Sequence, residues 1–66
     1  MAEITKSVNG TSVTAAFRPN GLIHFSCGPR GRDGQAIWNT HSREWVKCKF
    51  EVGTLFKEFI KAAFSL

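Results

Sequence analysis

The sequence predicts an α+β fold: an antiparallel β-meander of about five strands with one C-terminal amphipathic helix packed on one face. Turn signals punctuate the first fifty residues at short intervals, and apolar and polar side chains alternate between them. After Gly53 the pattern changes to helix formers without Gly or Pro.

Ile4 to Val8 reads as the first strand, ended by Asn9-Gly10. Asn-Gly is the strongest short-range hairpin signal, because both residues accept positive φ. Thr11 to Phe17 is the second strand, and Arg18-Pro19-Asn20-Gly21 the next turn, with Pro presetting φ. Leu22 to Cys27 is the third. Residues Gly28 to Gly34 hold three Gly and a Pro, which forbid regular structure and predict a loop. Gln35 to Asn39 is a short fourth strand. Thr40 to Arg43 turns the chain, and Glu44 to Val52 is the fifth strand.

Thr54 is a plausible N-cap for a helix from Leu55 to about Ser65. At 100° per residue, its polar residues occupy an arc of roughly 100° and its apolar ones an arc of roughly 200°. A helix on one sheet face needs an apolar stripe only a little over about 100° wide. The surplus is met either by strands wrapping the helix on two sides or an apolar frayed end, or, the favoured reading, by a homodimer seam formed by Leu55, Phe59, Ala62 and Leu66.

All 66 residues form one domain. A chain this short buries only about 60% of its unfolded surface, so added core from a partner copy would matter. Two cysteines are too few for a disulfide scaffold, and no leading export segment or long apolar run is present, so a cytoplasmic protein outside the membrane is expected.

Nine basic residues against five acidic ones give a net charge of +4, which draws the domain towards polyanions. Strand alternation sorts the side chains into two faces. Val46, Cys48, Phe50 and Val52 read as inward, with Ile23, Phe25 and Cys27. Trp45, Lys47 and Lys49 then face outward with His24 and Arg18, joined by Trp38 if Ile37 is inward, unless a one-residue slip or a bulge returns either indole to the core. Arg30, Arg32 and Arg43 hang from the neighbouring loops. Indoles among cations are what single-strand binding needs, since bases stack on the rings while Lys and Arg follow the phosphates. The expected partner is therefore single-stranded DNA or RNA. The other candidate is an acidic protein surface, met by a small inhibitor or adaptor of the kind phages make against host or CRISPR proteins.

No catalytic or metal site is expected, and no cofactor. His24 and Cys27 stand three apart on a strand and point to opposite faces. The spacings of His24, Cys27, His41 and Cys48 match no standard zinc finger. The carboxylates are scattered, and both thiols fall in the apolar set, where they act as small hydrophobes.

From Thr11 to Phe64 the layout resembles the transcriptional coactivator p15 (PC4) single-strand-binding family. The likeness lies in the hairpin Phe17-Arg18-Pro19-Asn20-Gly21-Leu22-Ile23, a basic loop, the strand from Trp45 to Val52 and then the helix. It implies a homodimer joined through its helices, with curved sheets that bind melted DNA. It assigns no role to individual residues.

Overall fold

The computed structural model describes residues 2–51, 53 and 55–66. Its strands are β1 (Glu3–Val8), β2 (Thr11–Phe17), β3 (Leu22–Cys27), β4 (Gly34–Asn39) and β5 (Glu44–Phe50), followed by the helix α1 (Phe56–Phe64). The strands form one sheet in the order β1-β2-β3-β4-β5, each antiparallel to the next. The expected N-cap Thr54 and the expected end of the fifth strand, Val52, lie outside the described residues.

The turns follow from their residues. Asn9 and Gly10 both hold positive φ (51° and 84°), the twist that joins two strands through a two-residue hairpin. At the next turn the Arg18 N–H donates to the Leu22 carbonyl (2.9 Å) and Asn20 Oδ1 accepts the Leu22 N–H (3.3 Å). The Gly28 to Gly34 segment is more ordered than its composition suggests. It contains a single 3-10 turn, Pro29–Gly31, with Arg30 itself left-handed at φ 55°. Gly34 cannot be replaced cheaply, because a Cβ there would overlap the Lys49 carbonyl on the facing strand.

One face of the sheet carries the core. Val13, Ala15, Phe25, Cys27, Ala36 and Ile60 are fully buried, and Ile23, Trp38 and Phe56 nearly so. The helix seats Phe56 against Phe50 (ring centroids 5.5 Å apart) and Phe64 against Phe25 (5.2 Å). Lys6 reaches from β1 to the far end of the helix. Its Nζ donates to the Ala63 carbonyl (2.9 Å) and lies 5.1 Å from the Phe64 ring, so one cation serves a helix C-terminus and an aromatic face together. The helix ends at Ser65, left-handed at φ 56°, with the Leu66 N–H donating to the Lys61 carbonyl (2.9 Å).

The expected parity of β5 is corrected at its start. Ile37 pairs with Lys47, but Trp38 pairs with Trp45, so Val46 has no opposite residue and forms a β-bulge. Trp45 therefore shares the core face with Trp38, while Lys47 and Lys49 look the other way. Trp38 is only 5% exposed and Val46 is 59% exposed. The energetic reason is size. An aromatic ring brings about 150–250 Å² of surface, worth at most roughly 4–6 kcal/mol when buried, against roughly 1.5 kcal/mol for a valine at the low end of the aliphatic range. The extra residue lets β5 bury the indole and expose the valine.

Two further expectations change with the edge position of β5. Cys48 lies on the helix side, opposite the buried Ala36, yet is exposed. Ile37 is outward, so Trp38 and Ala36 are the inward residues of β4.

Candidate nucleic-acid interface

The face turned away from the helix is built by the sheet register. Ala16, His24, Ile37 and Lys47 form one cross-strand row, and Thr14, Ser26, Gln35 and Lys49 form the next. Thr5 joins the second row, its hydroxyl 3.0 Å from that of Thr14.

Lys47 and Lys49 are two residues apart on β5, about 6.8 Å along the strand. Beside them the 3-10 turn delivers Arg32, whose N–H donates to the Pro29 carbonyl (3.0 Å). Arg32, Lys47, Lys49, Gln35 and Glu51 line one recess of about 230 Å³ together with Gly31 and Gly34. Three cations face one carboxylate there. Among the described residues, none of the three has a carboxylate within ion-pair distance. The recess thus carries three cationic groups against one carboxylate, with none of the three paired to it.

A second recess, of about 320 Å³, opens on the same face near the β2–β3 turn. Arg18, Pro19, Asn20, Leu22, His24 and Ile37 line it. Arg30 sits exposed at the 3-10 turn.

Three expected members are elsewhere. Trp38 and Trp45 stack edge to face inside the core, with centroids 5.0 Å apart, and Trp45 also meets Phe25 at 5.7 Å. Neither faces Arg32, Lys47 or Lys49, because the bulge turned Trp45 inward and the register did the same for Trp38, whose ring meets Lys61 Nζ at 5.8 Å instead. Arg43, left-handed at φ 58° in the β4–β5 turn, lines a recess with Trp38, Ser65 and Leu66. That places it on the helix side of the sheet.

The residues that alternation alone overlooked are Leu22 and Ile37. Both sit half-buried on the outward face, where a solvated sheet ordinarily carries polar side chains. For Leu22 the signal was an apolar residue in the same parity set as His24 and Ser26; Ile37 followed only once Trp38 was seen to turn inward.

On the helix, Leu55 is 72% exposed and Phe59 47% exposed, with Ala62 exposed beside them. These three form the surplus apolar stripe. Leu66, expected to join it, instead packs against the core.

The thiols differ from one another. Burial, with the negative charges of Asp33 and Cys48 adding to it, pushes Cys27 up to about 11. Partial burial also raises Cys48, against the opposing pull of the Lys57 ammonium. The described residues contain no group of three or more metal-ligating side chains, and no described helix is long and apolar enough to cross a membrane. Comparison with protein-family models, curated proteins and solved structures finds no match to the chain.

Proposed function

We propose that this domain is a binding module for single-stranded nucleic acid, which it holds by the outward sheet face and without a catalytic step. The observation that carries the reading is the convergence of Lys47, Lys49 and Arg32 on one recess with no ion-pair partner among the described residues. Two ammoniums spaced along one strand can hold neighbouring phosphates of a single nucleic-acid strand. The guanidinium of Arg32 adds a bidentate donor, and Arg30 extends the positive field.

Phosphate neutralisation releases counterions, so affinity falls with salt at a log–log slope of about −0.7 per phosphate contact for single strands. Three contacts give a slope of about −2. Anisotropy of a labelled oligonucleotide across a salt series tests this. A slope near −2 supports the reading, and salt-independent binding overturns it.

The helix stripe supports a homodimer joined through Leu55, Phe59 and Ala62, the arrangement that the p15-like layout implies. Cys27 and Cys48 are both free, which suits a reducing, cytoplasmic setting. In a second reading the same cations dock an acidic protein surface, as a small inhibitor or adaptor would. The open edge of β5, where Val46 is exposed, favours it by offering a strand for pairing.

A further inference from the structure

We propose that the recess beside the β2–β3 turn is a nucleobase subsite, one that takes a single unpaired base of the strand whose phosphates lie on Lys47 and Lys49. This inference rests on the nucleic-acid reading and gives it a second, chemically different contact.

The first argument is the composition of the recess. Leu22 and Ile37 form an apolar floor on the face away from the core, where they contribute little to the buried cluster. Their outward neighbours on the same strands are His24, Ser26, Gln35 and Asn39, all polar, as alternation requires. Folding therefore accounts for those polar residues and leaves Leu22 and Ile37 without a reason. A flat, weakly polar ligand supplies one.

The rim matches such a ligand. His24 offers an imidazole ring, one of the groups on which unstacked bases stack, and Arg18 adds a cation to the lining. Asn20 Oδ1 accepts the Leu22 N–H (3.3 Å), which leaves the Asn20 NH2 group to donate to a base edge. The volume, about 320 Å³, lies at the low end of the roughly 300–1,000 Å³ of small-ligand sites.

Position supplies the second argument. His24, Ile37 and Lys47 occupy one cross-strand row. Neighbouring strands lie about 4.8 Å apart, so the His24 and Lys47 backbones are roughly 10 Å apart. A base in the recess and a phosphate on Lys47 are therefore within reach of one short stretch of strand. A duplex hides its base faces, so an occupied recess selects single strands.

The test compares a labelled twelve-nucleotide oligothymidine with an abasic strand carrying the same number of phosphates, both against the full chain. Wild type is expected to bind oligothymidine roughly 5- to 150-fold more tightly, the worth of one stacked base. The pair Leu22→Thr and Ile37→Thr places polar, strand-forming, β-branched side chains at both positions and is expected to bring the two affinities together while leaving the abasic one unchanged. Should that pair fail to fold by circular dichroism, His24→Ala asks the same question from the rim. Equal binding of both strands by wild type overturns the subsite and leaves the phosphate surface standing. If neither strand binds, the nucleic-acid reading itself fails and the subsite with it.

Discussion

Trp38 and Trp45 meet across β4 and β5 with ring centroids 5.0 Å apart and planes at 74°, and the bulge at Val46 is what lets them do so. Trp45 Nε1 is buried by this packing and has no hydrogen-bond partner among the described residues. Aromatic rings surround it: Phe25 at 5.7 Å and Phe50 at 6.4 Å also meet it edge to face. An unpaired buried donor costs about 1–3 kcal/mol.

Trp45→Phe removes that donor and keeps most of the ring contact, so it is expected to leave stability unchanged or to raise it slightly. Trp45→Ala removes the ring and is expected to cost about 2–3 kcal/mol, below the roughly 3–5 kcal/mol of a fully buried aromatic. Urea unfolding of the two variants checks the ordering.

Because both indoles lie in the core, oligonucleotide binding is expected to leave tryptophan emission nearly unchanged while the anisotropy of a labelled strand rises. Strong quenching on binding would show bases stacked on an indole and would contradict the inward placement of Trp45.

Much of this was readable from residue order. Asn9-Gly10 and Pro19-Asn20-Gly21 marked their turns because few other residues accept those dihedrals, and the alternation in β3 assigned Ile23, Phe25 and Cys27 to the core. The bulge was not readable. Val46, Cys48 and Phe50 make a perfect period-two apolar set, and such a pattern cannot reveal one inserted residue that moves Trp45 to the other face. The cationic recess was legible in Lys47 and Lys49, whose parity lies beyond the bulge. Trp38 depended on which of two apolar neighbours, Ile37 or Trp38, turned inward, and only packing decides that.

Cys27 supplies a pH dependence. Its thiol is held at about 11 in the folded chain against an ordinary 9.0. Below about pH 9 the thiol is neutral in both folded and unfolded chains, and its contribution to stability is fully present. Between about 9 and 11 the unfolded chain releases the proton while the folded chain keeps it, so stability falls as pH rises. Thermal melts across this window are expected to show a steeper decline for wild type than for Cys27→Ala.

Phe59 is central to the exposed stripe of the helix and remote from the cations. Phe59→Glu is expected to convert a dimer into a monomer, as read by sedimentation equilibrium, while the circular dichroism spectrum is retained. A wild-type chain that sediments as a monomer at high concentration would remove the dimer from the proposal.

The most direct measurement is the salt dependence of oligonucleotide affinity for wild type and for the double variant Lys47→Ala, Lys49→Ala, followed by anisotropy. Loss of two phosphate contacts is expected to weaken binding at low salt and to flatten the log–log slope by about 1.4. A double variant that binds with wild-type affinity and slope, or a wild type that shows no binding at micromolar concentration, would contradict the claim that this sheet face holds a nucleic-acid strand.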